Sequence, residues 1–395
     1  MLCRAAAPKP VRTEPALRPG FGLYESRRIA RSFIRLRPAV RPDLDTEERI
    51  RLVSAPPTQE VVTEDDLRDM LETNDAPKHY VGLEISGFLH LGSLLSVGYK
   101  INDFARAGIR CTVFLADWHT VINDKLGGSW DAISKVTGYY RDAFRRVCPH
   151  AAIVLGTDLY RERTEYWQEL VAFTKHISLD RTKRALTITG RSEDEKSIGL
   201  ARLLYPPMQA VDIHSLGVDI AHAGMDQRRI HMLVREIFPK LGWKVPVAVH
   251  HGLLPGLSRP AASPAATDRQ TTGGKMSKSD PDSSIFMHDT DEQIRKKIGK
   301  AWCEEGVVDG NPVLAIAKNI IFHEAKDLTV ERPERFGGDA TYGSYESLES
   351  AFGNRSLHPA DLKRAVGEEL ARIVAPIRNS LNLSDETAEV IRGSV

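Results

Sequence analysis

The sequence predicts an α/β protein: a mostly parallel sheet with helices between its strands, followed by a helical C-terminal module. From Lys78 onward short apolar runs alternate with amphipathic stretches of helical period, as in successive βαβ units. Beyond Asp289 the strand-like runs stop and helix-start signals take over. A chain of 395 residues, 42% hydrophobic and 27% charged, has room for two or three domains with proper cores.

Residues 1–42 are rich in Arg, Pro and Ala and nearly free of acids, so they cannot bury a core and are expected to be disordered. Such a segment reads as a dispensable extension, an organellar transit peptide or a basic arm for RNA, the first being favoured. The folded part is expected to start near Asp43, with one helix in DLDTEERIRLV and a second from Thr63, where Thr-x-x-Asp approximates a capping box.

Residues 79–84 read as a strand, 85–87 as a tight turn, and the chain from Leu91 as an amphipathic helix. His90 then sits at a strand-to-helix turn, beside unpaired N–H groups and the positive end of a helix dipole, which suit a phosphate. Further strands are expected in 110–119, 151–155, 218–223 and 245–250, with helices around 130–147 and 227–238. A helical insertion is expected over about 120–204, its longer stretch from 158 on, where Arg181, Lys183, Arg184 and Arg191 make either a solvated face or a patch for RNA phosphates. Ligands of parallel sheets bind at the carboxyl ends of the strands. Asp117, His119, Asp226 and Gln227 are predicted to gather there, unless each merely caps a helix.

No apolar run approaches the roughly 20 residues needed to cross a bilayer, so no membrane partner is expected. The net charge of +1 conceals local asymmetry and does not exclude a nucleic acid. Cys3, Cys111, Cys148 and Cys303 are scattered, without the spacing of a zinc site or a disulfide framework, and are expected to be small buried hydrophobes.

Three stretches carry chemistry. In RQTTGGKMSKSDPDSS (269–284) two close lysines follow two glycines, at the end of a run rich in Ala, Ser, Thr and Pro. Such a loop is either a solvated surface or a mobile grip on polyphosphate, with ammonium groups as point charges and Gly and Ser allowing close approach. The second stretch is His90-Leu91-Gly92-Ser93. In the third, YPPMQAVDIHS, residues Tyr205, Gln209 and Asp212 recur at spacings of four and three and so share one helix face. That face is either a structural hydrogen-bond network or the wall of a pocket for a small polar molecule.

The second and first stretches together resemble the paired HIGH and KMSKS signatures of class I aminoacyl-tRNA synthetases, with Leu91 for isoleucine and Ser93 for the second histidine. YPPMQAVDIHSLGVDIAHAGMDQRRIHMLVRE, together with Tyr80-Val-Gly82-Leu-Glu84, is similar to the tyrosyl-tRNA synthetases of the archaeal and eukaryotic cytosolic type. The resemblance runs from about Glu64 to at least Arg378. It implies a Rossmann-type catalytic domain over 43–284 with a mobile lysine loop at 258–284, and an α-helical anticodon-binding domain over 285–395. Tyr80 and Asp212 would hydrogen-bond the tyrosine phenol, and Tyr205, Gln209 and Gln227 would hold its ammonium. ATP, accompanied by Mg²⁺, would meet Gly82, His90, Gly92, Ser93, Asp226, Lys275, Met276, Ser277, Lys278 and Ser279, with His90, Lys275 and Lys278 acting on the phosphates.

The same resemblance implies tRNA(Tyr) as partner, a homodimer and a cytoplasmic location. Arg228 and Arg229 match positions that meet the acceptor end. In the C-terminal module, helix starts are read at Thr290, Pro312 and Pro359. RPERFGGD and LHPADLK there resemble anticodon-binding segments, with Phe336 to stack on a base and His358 and Asp361 to read base edges, as opposed to a core Phe and a capping Asp. Two alternatives remain open: the related tryptophanyl enzyme, and a catalytically silent relative that binds RNA. A small-substrate adenylyltransferase of the same fold would lack the helical C-terminal module.

Overall fold

The computed structural model describes residues 44–186, 198–260, 274–276 and 280–394; expectations for residues 1–42, Arg191, Ser277, Lys278 and Ser279 lie outside them. Helix α1 (Thr46–Ser54) opens on Asp45, which accepts from the Glu48 N–H while the Glu48 carboxylate accepts from Asp45, a complete capping box. Strand β1 (Thr58–Val62) and helix α2 (Glu64–Thr73) follow, the helix capped by the Thr63 hydroxyl at 3.1 Å from the Asp66 nitrogen. Strand β2 (Lys78–Leu83) leads through a turn, with Gly87 at φ 129°, to a wide π-helical turn at Gly92–Ser96 and then to α3 (Val97–Arg106).

Next come β3 (Arg110–Leu115), α4 (Asp117–Ile122), α5 (Trp130–Val147) and β4 (Ala152–Leu155). The helices α6 (Gly156–Glu162), α7 (Tyr166–Thr174), α8 (Leu179–Leu186) and α9 (Tyr205–Ser215) precede β5 (Ile220–Gly224), α10 (Arg228–Ile237) and β6 (Val247–His251).

The strands form one sheet in the order β1-β6-β5-β2-β3-β4, parallel throughout except for β1. Strand β1 was not foreseen: TQEVV lies half exposed along the edge, so it lacks the apolar signature of the central strands. The pairing of β4 with β3 also shifts the helical insertion. Residues 120–155 complete a βαβ unit of the sheet, and the helices unbroken by a strand start at Gly156.

Alternation along each strand separates two cores. Val81, Val113 and Val249 pack with α1, α3 and α5 on one face, whereas Tyr80, Phe114 and Ala221 pack with α6–α10 on the other. The first core continues without a break into the C-terminal part through Ile294, Leu314, Val366 and Val374.

That part holds α11 (Asp291–Lys300), α12 (Pro312–Ile316), α13 (Phe322–Glu324), β7 (Leu328–Val330), β8 (Ala340–Tyr342), α14 (Tyr345–Gly353), α15 (Pro359–Ser380) and α16 (Asp385–Arg392). The expected starts at Thr290, Pro312 and Pro359 all appear, Thr290 with a reciprocal capping box. The antiparallel β7–β8 hairpin is an addition to an otherwise helical module, each strand being too short to carry a periodic pattern. A buried cation had no sequence signal either. Lys100 on α3 is fully enclosed, its Nζ donating to the carbonyls of Leu52 (2.6 Å) and Ala55 (2.8 Å) at the end of α1 and lying 3.2 Å from Asp103. Burial pulls its pKa down to about 8. Asp103 also pairs with His323 of α13, tying the HLGS helix to the C-terminal part.

Candidate active site

A cleft of about 790 Å³ opens at the carboxyl edge of the sheet, where β2, β5 and β6 end beside the HLGS turn and Lys275-Met276. It brings together Tyr80, Tyr205, Gln209, Asp212 and Gln227 at one end, and His90, Gly92, Ser93, Asp226, Lys275 and Met276 at the other. Gly82 lies between them for a steric reason: a Cβ there would stand 2.3 Å from the Tyr80 hydroxyl oxygen.

Asp212, on α9, is 0% exposed. Its Oδ1 accepts from the hydroxyls of Tyr160 (3.0 Å) and Tyr166 (2.8 Å), while Oδ2 makes no hydrogen bond among the described residues and lies 3.7 Å from His119 Nε2. Burial raises the Asp212 pKa to about 8 although the two phenols oppose the shift. Without a ligand the carboxyl therefore keeps its proton at neutral pH, and Oδ2 becomes an acceptor, completed by a ligand hydroxyl, when the carboxyl ionises. Burial, then the charge of Asp212, pushes the Tyr80 phenol well above its usual value, so it stays a neutral donor.

At the other wall of the same end the Tyr205 hydroxyl donates to Glu84 Oε1 at 2.8 Å, and Asn123 donates to the same oxygen at 3.0 Å. Gln209 donates to Gln227 at 3.4 Å, leaving its own buried Oε1 without a partner. The Glu84 carboxylate and the amide oxygens of Gln209 and Gln227 thus line one cleft, a setting for an ammonium group.

At the second end His90 caps the HLGS helix. The Ser93 N–H faces His90 Nδ1 at 3.4 Å, and the His90 N–H donates to Ser93 Oγ at 3.0 Å, a capping box with histidine in the leading position. The Ser93 hydroxyl, expected to meet ATP, also donates to the His90 carbonyl at 3.2 Å and so fixes the His90 backbone. Lys275 enters on a short β-bridge to Pro255, and its Nζ pairs with Asp226 Oδ2 at 2.7 Å. Two residues expected to grip different parts of ATP thus hold each other in this state. Met276 is buried beside them.

Of the polar residues foreseen at the strand ends, Asp117 serves as a cap: it accepts from the N–H groups of Trp118 and Thr157 and from the Thr157 hydroxyl. His119, Asp226 and Gln227 line the cleft. Sequence reasoning missed the Asp212-holding role of Tyr160 and Tyr166, which come from α6 and α7 across 52 and 46 residues. It also gave no role to Glu84, although Glu84 stood within the quoted Tyr80–Glu84 stretch.

The residues foreseen for RNA lie elsewhere. Arg228 is engaged by Glu60 of β1 at 2.8 Å, and Arg229 reaches the Arg184 carbonyl at 3.4 Å. In the basic patch Arg181 is offset by Glu236. Phe336 is 59% exposed under the Arg335 guanidinium, so it is no core residue. His358, not Asp361, caps α15, its Nδ1 accepting from Ala360 at 3.1 Å; Asp361 pairs with Arg364 at 2.8 Å. Cys111 and Cys148 are buried as expected, whereas Cys303 is half-buried.

A mostly parallel sheet whose carboxyl edge holds a polar cleft beside a histidine turn and Lys275, followed by a helical C-terminal module, is the arrangement of a class I aminoacyl-tRNA synthetase. The profile of the family described as tRNA synthetases class I (W and Y) matches residues 72–375, and the chain belongs to that family. The tyrosine–tRNA ligase of Thermococcus sibiricus is 44% identical over 371 residues, covering 88% of this chain and 98% of that one. The crystal structure of the Pyrococcus horikoshii tyrosyl-tRNA synthetase complexed with L-tyrosine superposes with a TM-score of 0.82 at 42% identity, covering 89% of this chain and 100% of that one. The tryptophanyl-tRNA synthetase of Aeropyrum pernix, at 16% identity and a TM-score of 0.61, shares the fold alone.

Proposed function

We propose that this chain activates L-tyrosine with ATP, giving tyrosyl-adenylate and pyrophosphate, and then transfers the tyrosyl group to the 3′-terminal adenosine of tRNA(Tyr). The observation that carries the reading is the unpartnered Asp212 Oδ2, held in place by two phenols at the closed end of the cleft. A phenolic O–H fits this acceptor, with Tyr80 donating to the phenol oxygen. An indole offers a single N–H and no acceptor, so the tryptophanyl alternative would leave Tyr80 stranded.

Tyr205, Gln209, Gln227 and Glu84 hold the substrate ammonium, which leaves its carboxylate toward the His90 end. There it attacks the α-phosphate. Neither step needs a protein nucleophile, so catalysis consists of positioning and of stabilising charge on the transferring phosphate. His90 donates to phosphate oxygens from its capped helix end, and Gly92 and Gly82 leave room for the nucleotide. Asp226 takes the ribose, Lys275 and Lys278 act on the phosphates, and Met276, Ser277 and Ser279 complete the nucleotide site. Ser93 acts through His90. Mg²⁺ would accompany ATP, bound through the nucleotide and not through protein ligands, and would neutralise charge on the phosphates.

Residues 285–395 serve as the anticodon-reading module, with Phe336, His358 and Asp361 at the RNA and Arg228 and Arg229 toward the acceptor end. Family likeness supports a homodimer and a cytoplasmic location; among the described residues no helix is long and apolar enough to cross a membrane. The test is ATP–pyrophosphate exchange with each of the twenty amino acids, using wild type and Asp212→Ala. Exchange with tyrosine alone, lost in the variant, is expected. Exchange with tryptophan would move the assignment to the sister enzyme, and exchange with none would leave the silent RNA-binding alternative.

A further inference from the structure

Three histidines form a row through the sheet that the reaction as described does not use. His79 pairs in register with Ile220, His222 with Val249, and His251 with Gly224, so the row steps two residues forward at each strand from β2 to β5 to β6 on one face. Its far end, His79, is sealed under Phe104 of α3, and its near end, His251, lies on the last residue of β6 at the cleft. The rings are hydrogen-bonded in sequence: His79 Nε2 to His222 Nδ1 at 3.0 Å, and His222 Nε2 to His251 Nδ1 at 2.8 Å. Burial keeps all three uncharged, with His251 lowered to about 4.

A row of neutral imidazoles has only two proton arrangements, because each ring carries one N–H and one acceptor nitrogen. If the protons sit on the Nδ1 atoms, the His79 Nδ1–H is stranded, since that atom is buried with no partner among the described residues. Buried N–H groups without an acceptor are rare. If they sit on the Nε2 atoms, every N–H within the row meets an acceptor and the last, on His251, points into the cleft. The position a Cβ would take on Gly224 is 2.6 Å from Asp226 Oδ1, 2.7 Å from Leu253 Cδ2 and 3.5 Å from His251 Nε2, so a neutral donor and a carboxylate acceptor stand close together on the wall of the nucleotide half.

We propose that His251 is a nucleotide-binding residue whose Nε2–H, fixed in that tautomer by His222 and His79, donates to a ribose hydroxyl oxygen of ATP. The inference rests on the nucleotide site proposed above. A hydroxyl both donates and accepts, and the pair supplies the complement: Asp226 accepts and His251 donates. An uncharged imidazole suits a hydroxyl better than a phosphate.

The test is the KM for ATP, 2′-deoxyATP and 3′-deoxyATP in tyrosine-dependent pyrophosphate exchange, for wild type, His251→Phe and His251→Gln, with the KM for tyrosine as a control on folding. His251→Phe is expected to raise the ATP KM about 3- to 10-fold, the worth of one neutral hydrogen bond. The penalty should vanish for one deoxynucleotide, and His251→Gln should recover most of the loss. Spectra of ¹⁵N-histidine-labelled enzyme should show His222 and His251 protonated at Nε2. An unchanged ATP KM, a penalty equal for all three nucleotides, or an Nδ1–H tautomer at His251 overturns the proposal. If Asp226→Ala and Lys275→Ala also leave the ATP KM unchanged, the nucleotide site itself is misplaced, a result separate from failure at His251.

Discussion

Replacing Asp212 by Asn tests the closed end of the pocket through pH. In the folded, tyrosine-free protein burial holds the Asp212 pKa at about 8, against a usual value of 3.8. Between those values the folded state binds one more proton than the unfolded state, so this group's contribution to stability is complete below pH 4 and is lost as pH rises through 8. The slope is about 1.4 kcal/mol per pH unit, so wild type should lose roughly 2 to 3 kcal/mol between pH 5.5 and 7.5 from this group alone. Asn keeps an oxygen for Tyr160 and Tyr166 and places an uncharged amide where Oδ2 stood, which removes the slope. Urea unfolding of both proteins at pH 5.5, 6.5 and 7.5 without tyrosine should show the variant gaining on wild type by that amount. Saturating tyrosine should flatten the wild-type slope, because a phenol donating to Oδ2 favours the ionised form. A variant-to-wild-type difference that stays constant with pH would refute the reasoning.

Glu84→Gln should raise the KM for tyrosine roughly 10-fold or more in pyrophosphate exchange, the worth of one charge-assisted hydrogen bond, with a smaller effect on the ATP KM. Gly82→Ala drives a methyl group into the Tyr80 hydroxyl, 2.3 Å away, and should cost about 1 to 3 kcal/mol of stability along with tyrosine affinity, read by thermal unfolding and calorimetry. Phe336→Ala should raise the tRNA KM in aminoacylation by about 5-fold or more, as expected for a lost base stack, and much more than it changes exchange.

The parallel part of the fold was legible because its strands are buried on both faces and read as continuous apolar runs. Strand β1 was not, since an edge strand with one partner keeps Glu60 and Gln59 among its residues. Lys100 failed for another reason: a lysine on an amphipathic helix reads as solvent-facing, and only the carbonyls of Leu52 and Ala55, brought by the packing of α1, make burial tolerable. The three-residue strands of the hairpin lie below the length at which alternation can be seen.

The site divides along the same line. Tyr205, Gln209 and Asp212 were legible together because one helix carries them and its period is known. What holds them was hidden, since Tyr160 and Tyr166 reach Asp212 from helices that sequence spacing cannot orient. The histidine row extends the argument. His79, His222 and His251 occur singly in three apolar runs 29 to 143 residues apart, and each alone is an ordinary core histidine. The strand order places β2, β5 and β6 side by side, and a register offset of two residues turns three isolated side chains into one polarised chain ending at the cleft. Because that chain depends on register, moving any one of the three histidines by a single residue would turn it to the opposite face and break the row. Substitution of His222, which touches no substrate, should therefore act on the His251 tautomer before it acts on the fold.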